Sequence, residues 1–439
     1  MRILIPVVFR YLQRGDASVL NSVIETLSKV FPNASFLAAC QPGVDLKQHN
    51  LEMLDGFFPN SANRLVALWK RIVYFYVLAV VVAWYWTFKR RLNLPAKLEP
   101  IIMKAYAEAD VVILPLMDGI NSIYSFETLL GCLYKIFIAK ILGKPVMLYA
   151  VHIGPFEDTT KGKICTFLTR LVLDRVDVIT VRGFTSITWL KKMGVSNPRV
   201  YVTADPAFLL EPCLNERVKR FIEGFDHRRN PVIGINTSAL LYRYGFLHCE
   251  NLRLKFLAYV KLLSMIVDYL VEEINAVVIL VPHSFILGDD DREVSEYVLN
   301  SVRDSSRVRC IVEEFTPEEL KAIIGHLDLF VATRHHPFIH AISMHVPTIG
   351  IDYISKMKDT AAVCTYDEWV RDIKDLSYES LIFQINLLWS NREYVKTSLV
   401  EKARRMRKLA FLNANLLKDL VKCSFKKPSL ARATVTVVD

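Results

Sequence analysis

The amino-acid sequence predicts an α/β protein made of two Rossmann-like domains that face each other across a cleft. Three observations support this fold class. Short runs rich in Val and Ile alternate with helix-length segments, which is typical of a parallel sheet covered by helices on both faces. The alternation stops in a polar stretch near the middle of the chain and then begins again. The chain has 439 residues, 52% of them hydrophobic, which is enough for two cores.

The first series of elements spans residues 1–212 and is interpreted as the N-terminal domain. Its predicted helices are 16–30, 122–142, 163–174 and 184–193. Its predicted strands are Arg2 to Phe9, Ala34 to Ala39, Val111 to Leu116, Pro145 to Val151, Val178 to Val181 and Val200 to Thr203. A polar, Arg-rich stretch follows, and residues 213–230 are interpreted as a linker.

The second series spans residues 231–375 and predicts a second Rossmann-like domain. Its predicted strands are Pro231 to Asn236, Ala276 to Val281, Val308 to Val312, Leu327 to Ala332 and Thr348 to Ile351. Residues 376–425 have a helical pattern, and we expect these helices to cross back and brace the first domain. A basic tail, 426–439, ends the sequence.

The segment 72–88 does not fit a soluble domain. It runs for 17 residues without a charge, between basic clusters at 70–71 and 89–91. As a helix it would be about 25 Å long, short of the roughly 30 Å hydrocarbon core of a bilayer. Aromatic residues near both ends and the basic flanks favour a helix that lies in the membrane surface. The alternative is a fully buried core helix.

Charge and cysteine spacing restrict the partners. The net charge of +10 is spread over short clusters, which favours an anionic small ligand or an anionic membrane surface, and we expect no nucleic acid partner. The eight cysteines form no C-x-x-C pair, which argues against zinc and redox motifs. The apolar run at the start is too short for a signal peptide. We therefore expect a peripheral or monotopic protein at the cytoplasmic face of the membrane.

Four of the ten histidines lie within eleven positions, 335–345, next to Arg334. A predicted strand ends at Ala332, and Pro337 suits the first turn of a following helix. This places Arg334 and His336 at the carboxyl edge of a sheet, beside a helix N-terminus that favours anions. An arginine binds a phosphate or carboxylate in a fork, and a histidine transfers a proton near neutral pH.

The other histidines of this stretch are expected to be structural. His340 and His345 lie further along the predicted helix. His336 and His340 have the i, i+4 spacing of metal ligands, but no acidic third ligand with recognisable spacing accompanies them, so no metal is expected.

The stretches Thr333-Arg-His-His-Pro-Phe-Ile-His-Ala341 and Val346-Pro-Thr-Ile-Gly-Ile-Asp-Tyr-Ile-Ser-Lys356 resemble the R-x-H, P-x-I and Y-x-x-K signature of the polysaccharide pyruvyl transferase family. Further pieces fall in the order of that family: Arg14-Gly-Asp16, Gly154-Pro-Phe156, Val181-Arg-Gly-Phe-Thr-Ser186, Thr203-Ala-Asp-Pro-Ala207, Ile235-Asn236, Val281-Pro-His283 and Phe315-Thr-Pro-Glu-Glu319. The resemblance covers residues 2 to about 360.

The resemblance implies a fold similar to GT-B glycosyltransferases and the transfer of a pyruvyl group from phosphoenolpyruvate to two hydroxyls of a sugar, which gives a cyclic ketal. It implies no cofactor. The acceptor would be a glycan or lipid-linked saccharide that serves as a cell-surface glycan precursor. By resemblance, His336 is the general acid, Arg334 and Arg182 hold the anionic groups of the donor, and Lys356 binds phosphate.

Three further residues are candidates for substrate binding: His283, Asp16 and Asn236. His283 follows a strand and could equally serve the core or a cap, and Asp16 could simply cap the helix that follows it. Asn236 ends the first strand of the second domain.

The sequence departs from the family at 117–122, where one glycine stands in place of a glycine triplet found in many relatives. The backbone there approaches a ligand less closely. Two alternatives therefore stay open: a GT-B-type glycosyltransferase that uses a nucleotide sugar, and a catalytically divergent membrane-bound scaffold. The segment 333–356 contains no Glu to bind a donor ribose, which argues against the glycosyltransferase.

Overall fold

A computed structural model of the chain describes residues 1–40, 51–54, 101–115, 118–197, 199–224, 230–245 and 250–425. The segment 72–88 and the tail 426–439 lie outside the described residues, so the predictions made for them stay predictions. Among the helices in the described ranges, none is long and apolar enough to cross a membrane.

The first sheet contains the strands β1 (Arg2–Phe9), β2 (Ser35–Cys40), β3 (Leu51–Leu54), β4 (Val111–Pro115), β5 (Val146–Val151), β6 (Val178–Val181) and β7 (Val200–Val202). They are parallel, in the order β3-β2-β1-β4-β5-β6-β7. Every residue of β4, β5 and β6 is buried. Burial on both faces explains why these strands are continuous apolar runs.

The second sheet contains the strands β8 (Val232–Ile235), β9 (Val277–Leu280), β12 (Val308–Cys310), β13 (Leu329–Ala332), β14 (Thr348–Asp352) and β15 (Val370–Asp372). They are also parallel, in the order β12-β9-β8-β13-β14-β15. A short antiparallel hairpin, β10 (Phe285–Ile286) and β11 (Asp289–Asp290), follows β9 in the chain. The predicted pair of α/β domains is therefore confirmed.

The described helices alternate with these strands. Those of the first half are α1 (Arg14–Val30), α2 (Ile101–Glu108), α3 (Phe126–Ile141), α4 (Thr160–Leu173), α5 (Phe184–Met193) and α6 (Glu216–Glu223). Those of the second half are α7 (Leu252–Glu272), α8 (Asp291–Leu299), α9 (Pro317–Ile324), α10 (His335–Ser343), α11 (Lys356–Cys364), α12 (Tyr378–Ser390) and α13 (Arg392–Phe425).

Both sheets reverse their strand order beside the cleft. The reversal lies between β1 and β4 in the first sheet and between β8 and β13 in the second. Loops that leave such a pair of strands diverge and open a crevice where ligands bind. The two crevices face each other, because the backbone N–H of Arg14, after β1, donates to the carbonyl of His283, after β9, at 3.1 Å.

The long helix α13 returns to the first domain, as the sequence predicted. Asn413 is fully buried there. Its side-chain oxygen accepts from the hydroxyls of Thr180 (2.6 Å) and Thr203 (2.9 Å), and its amide donates to the carbonyl of Ala204 (3.2 Å). The last helix thereby fixes the ends of β6 and β7.

The region interpreted as a linker, 213–230, contains the helix α6 in place of a simple polar connection. Asn215 caps it, and Val218 and Ile222 form its buried side. The sequence interpretation overlooked this helix, although Val218, Phe221 and Ile222 have the i, i+3, i+4 spacing of a helix with one apolar side.

Candidate active site

The start of α10 presents the clustered histidines to the cleft. All of β13 is buried, and Arg334 follows it with extended backbone as the N-cap of the helix. Pro337 lies in the first turn, where its missing N–H costs no hydrogen bond. The predicted junction from strand to helix is confirmed.

The ring of His336 lies across the cleft, against the backbone of Gly15 at the start of α1. A methyl group added at Gly15 would lie 2.3 Å from Nδ1 of His336, so glycine is the residue that leaves room for the ring. Nε2 of His336 is 3.9 Å from Oδ2 of Asp205, beyond hydrogen-bond distance. Nε2 is buried and finds no hydrogen-bond partner in the described part of the chain.

Burial sets the protonation state of His336. Desolvation lowers the pKa of His336 to about 4; Asp205 opposes this shift, and Arg182 reinforces it. The imidazole is therefore neutral at neutral pH, and a nearby anion would favour its protonated form.

A single carboxylate joins two cations from opposite domains. Asp118, in the loop after β4, accepts from Nη2 of Arg182 at 2.5 Å through Oδ1 and from Nζ of Lys356 at 2.5 Å through Oδ2. Arg182 also donates to Asp205. Burial raises the pKa of Asp118, but the attraction of Arg182 and Lys356 outweighs burial and lowers it. Two cations thus converge on one anionic group, which is the carboxylate of Asp118.

Asp16 lies in the first turn of α1, next to Gly15. Its carboxylate accepts weakly from the backbone N–H (3.3 Å) and Nε (3.4 Å) of Arg10. Burial raises the pKa of Asp16 to about 6; Arg10 opposes this shift and the charge of Asp118 adds to it. A carboxyl group with such a pKa suits proton transfer near neutral pH.

Arg334 is placed at the cleft, but its guanidinium points to its own domain. Nη2 donates to Asp289 and to Asp291, both at 2.6 Å, and Arg334 is 7% exposed. These two carboxylates balance its charge and order the loop after β9. The role of Arg334 in donor binding stays a prediction.

His283 and His340 pack together where the second domain meets α1 of the first domain. Their ring centroids are 5.3 Å apart. Nε2 of His340 lies 3.0 Å from the hydroxyl of Ser18 in α1, while neither ring nitrogen of His283 has a partner in the described residues. Burial lowers the pKa of both well below 6.5. This environment fits the structural role expected of His340, and the substrate role of His283 stays a prediction.

Asn236 is fully buried at the end of β8. Its amide donates to the carbonyls of Thr237 (3.1 Å) and Val281 (2.8 Å), and its oxygen accepts from the N–H (3.2 Å) and hydroxyl (3.0 Å) of Thr333. Four internal hydrogen bonds use its full capacity. Asn236 therefore joins three strand ends and leaves no polar atom for a ligand.

Aromatic side chains line the same cleft. Tyr353, in the loop before Lys356, stacks on Tyr244 with ring centroids 4.8 Å apart. Burial raises the pKa of both hydroxyls, and Tyr124, from the loop that holds Asp118, adds to the shift. Partly exposed tyrosines offer flat apolar faces with a polar edge, which suit a sugar ring.

Asp205, His335 and His336 also converge, with one ligand atom of each within 4.8 Å of the others. Asp205 is paired with Arg182, and Nε2 of His335 lies 2.7 Å from the hydroxyl of Thr360. The cation already held at Asp205 disfavours a metal ion at this position.

A profile of the polysaccharide pyruvyl transferase family matches residues 14–355. The chain belongs to this family. The match includes Asp16, Arg182, Arg334 and His336 and ends one residue before Lys356. Among curated relatives, the amylovoran biosynthesis protein AmsJ of Erwinia amylovora is 24% identical over 286 residues, which cover 64% of this chain and 67% of AmsJ.

Solved structures with the same fold include nucleotide-sugar enzymes. UDP-GlcNAc 2-epimerase from Methanocaldococcus jannaschii superposes with a TM-score of 0.52 and 13% identity, over 96% of this chain and all of that one. HepE from Anabaena, solved with UDP, has a TM-score of 0.57 and 12% sequence identity, over 96% of this chain and 100% of HepE. A glycosyltransferase from Rickettsia africae has a TM-score of 0.57 and 10% sequence identity, over 98% of this chain and 99% of that one. At these identities the likeness shows the fold, and the GT-B-like prediction is confirmed.

The structure brings most of the predicted site residues together in the cleft. Asp16, Arg182, His336 and Lys356 meet in the cleft, whereas Asn236 faces inward. Sequence reasoning missed Asp118 as a site residue, although it follows a buried strand at the carboxyl edge of the first sheet. That position was the available signal.

Proposed function

We propose that this chain transfers a pyruvyl group from phosphoenolpyruvate to two hydroxyls of a sugar in a cell-surface glycan precursor, forming a ketal and releasing phosphate. Family membership supports a transferase of polysaccharide biosynthesis. One geometric observation supports this donor: Arg182 and Lys356 converge from opposite domains on one anionic position, beside Nε2 of His336, which has no partner among the described residues.

The donor would bind where the carboxylate of Asp118 now lies. Phosphoenolpyruvate has a phosphate and a carboxylate, and two cations fixed 2.5 Å from one carboxylate have the spacing to hold either group. The donor would displace the carboxylate of Asp118 from its place between the two cations. Asp205 keeps Arg182 oriented from the other side.

The reaction needs one acid and one base. A hydroxyl oxygen of the acceptor attacks C2 of the donor, its proton passes to Asp16, and His336 gives a proton to C3, which becomes the methyl group. The C2–O bond to phosphate then breaks as the second hydroxyl attacks C2. The proton of that hydroxyl leaves with phosphate. The proton held by Asp16 passes to solvent, and solvent supplies the proton that His336 gave to C3. One proton thus ends on carbon and one on phosphate.

The bound donor would activate its own acid. His336 is neutral in the free protein because burial lowers its pKa to about 4. Two anionic groups of the donor beside it favour the imidazolium form, so that protonation of His336 accompanies donor binding.

The acceptor is proposed to be a glycan or lipid-linked saccharide that stacks on Tyr244 and Tyr353 at the cleft. A lipid-linked acceptor keeps its reducing end at the bilayer, so we also propose that the protein works at the cytoplasmic face of the membrane. The sequence of 72–88, apolar and aromatic between basic clusters, supports this location.

Release of inorganic phosphate tests the proposal. Phosphoenolpyruvate is incubated with the full chain and a panel of p-nitrophenyl β-glucoside, β-galactoside and β-N-acetylmannosaminide, and donor binding is measured separately by calorimetry. We expect donor binding, phosphate release that depends on a sugar, and loss of release in His336→Ala but not in the matched control His345→Ala. Turnover of a UDP-sugar without any binding of phosphoenolpyruvate would instead establish the glycosyltransferase alternative, and binding of neither donor would support the scaffold.

A further inference from the structure

Asp359, in the helix α11 of the second domain, lies against the start of the helix α5 in the first domain. Oδ1 of Asp359 accepts from the hydroxyl of Thr185 at 2.5 Å and from the backbone N–H of Thr185 at 3.3 Å. The carboxylate is buried. This contact joins the two domains without using Asp118.

The contact takes the place of a helix cap. Gly183 is the N-cap of α5, and it has no side chain that could accept from the free N–H groups of the first turn. A polar N-cap side chain would accept from the second or third residue of the helix. Asp359 accepts from Thr185, the second residue, and its negative charge is favourable at the N-terminal end of the helix dipole. The second domain thus caps a helix of the first.

Glycine is required at position 183 for space. Its backbone is extended (φ −166°), which is a conformation that any residue adopts. A methyl group added at Gly183 would lie 2.5 Å from Cβ, Cγ and Oδ2 of Asp359, much closer than non-bonded carbon atoms pack. Because Cβ of Asp359 is fixed to the backbone of α11, a larger residue at 183 would push α5 and α11 apart.

The second oxygen of Asp359 faces His152, which directly follows β5. Oδ2 of Asp359 lies 3.5 Å from Nε2 of His152. Both atoms are buried, and neither has a hydrogen-bond partner in the part of the chain that the structure describes. The carboxylate therefore lies between the end of β5 and the start of α5.

The two helices that meet at this contact carry the two cations of the site. Arg182 lies two residues before the first residue of α5, and Lys356 is the first residue of α11, one turn before Asp359. The start of α5 is also fixed within its own domain, because the hydroxyl of Ser186 accepts from the backbone N–H of Ile153 at 2.9 Å. A shift of α11 against α5 would therefore change the spacing of Arg182 and Lys356.

Donor binding would make the contact of Asp359 necessary. In the free protein Asp118 links the two cations, since it accepts from both of them. The donor proposed above would displace this carboxylate and thereby remove the link. The hydrogen bonds between Asp359 and Thr185 do not use the anion-binding position, so they persist when the donor replaces Asp118.

We propose that Asp359 is a positioning residue that holds Lys356 at the spacing from Arg182 that fits the donor, an inference that rests on the proposed function. The proton transfers assigned to His336 and Asp16 do not involve it. Loss of Asp359 should therefore raise the KM for phosphoenolpyruvate about tenfold and change kcat less than about threefold.

Calorimetry with phosphoenolpyruvate tests the proposal on the full chain, because it measures the affinity and the fraction of binding-competent protein separately. Asp359→Ala should weaken binding about tenfold at unchanged stoichiometry. Asp359→Asn keeps an oxygen that accepts from Thr185, so binding should return to within about threefold of wild type. The matched control Asp367→Ala, at an exposed carboxylate of the same domain, should bind as wild type.

A change on the opposite domain checks that one contact is responsible. Gly183→Ala should also weaken binding about tenfold, and the double variant with Asp359→Ala should lose about tenfold rather than about a hundredfold, because the same contact is broken only once. Gly131→Ala, whose added methyl meets no atom within 4 Å, is the control. If Asp359→Ala does not fold in a thermal melt, Thr185→Val removes only the hydroxyl and should weaken binding about threefold.

Three results would overturn the role of Asp359. They are wild-type affinity in the Asp359→Ala and Thr185→Val variants, a lower stoichiometry at unchanged affinity, and additive losses in the double variant. Failure of the wild-type protein to bind phosphoenolpyruvate is a different outcome, since it would overturn the proposed function on which this inference rests.

Discussion

Donor binding should be coupled to proton uptake by His336. In the free protein burial lowers the pKa of His336 to about 4, so the ring is neutral at pH 6.5. Asp118 already favours the protonated ring, and the donor replaces this one carboxylate by two anionic groups, so the net gain is one anionic group beside the ring. A unit charge at roughly 4 Å, with an effective dielectric constant of about 20, contributes ~4 kcal/mol.

That attraction corresponds to roughly a thousand-fold increase in proton affinity, since ~1.4 kcal/mol is a factor of ten. The midpoint of protonation would then approach neutral pH. At pH 6.5 we therefore expect each bound donor to bring a substantial fraction of one proton with it.

Isothermal titration calorimetry measures this uptake when phosphoenolpyruvate is titrated in two buffers with different ionisation enthalpies. His336→Asn removes the titrating ring but leaves Arg182 and Lys356, so it should bind the donor without that uptake. Any protonation of the donor itself is common to both proteins and cancels in the difference. The matched variant His345→Asn should behave as wild type. Equal proton uptake by wild type and His336→Asn would refute the reasoning.

Three further perturbations follow from the same contacts. Gly15→Ala should lower kcat about 10- to 100-fold with donor binding retained, because the added methyl displaces the ring of His336, whereas Gly131→Ala, which meets no atom within 4 Å, should have no effect on kcat. Asp118→Asn should bind inorganic phosphate about tenfold more tightly by calorimetry, because it removes the internal anion that competes for Arg182 and Lys356; weaker binding would mean that Asp118 mainly positions the cations. Below pH 6.5 the unfolded chain should bind more protons than the fold, since burial lowers the pKa of His283, His335 and His340 well below 6.5. Each of these three histidines then lowers the free energy of unfolding by roughly 1.4 kcal/mol for every pH unit below its unfolded pKa. The Tm should therefore fall between pH 7 and pH 5.5, and a constant Tm would contradict this.

The architecture was accessible from sequence because buried parallel strands are continuous apolar runs. The runs that became β4, β5 and β13 are bounded by polar loops, and periodicity alone locates them. The junction at 332–337 could be predicted in the same way, since a buried strand, the polar residues that follow it and Pro337 define the start of α10.

The pairings within the site could not be predicted, because they depend on how the domains meet. Asp118 and Lys356 are 238 residues apart, and periodicity does not say that one carboxylate will lie between Lys356 and Arg182. Arg334 is paired with Asp289 and Asp291, and these two pairings likewise depend on the path of the loop after β9. Sequence reasoning therefore identified residues of the right chemistry and left open which of them form ion pairs with one another.

The mass of the product formed in D₂O tests the central chemistry most directly. Phosphoenolpyruvate and an accepted glycoside are incubated with the protein in D₂O, and the sugar product is analysed by mass spectrometry beside phosphate release. We predict a ketal whose methyl group contains one deuterium, formed in equal amount with phosphate, and no such product with His336→Ala. Phosphate release that persists in His336→Ala, or a product without deuterium on the methyl carbon, would contradict protonation of C3 by His336.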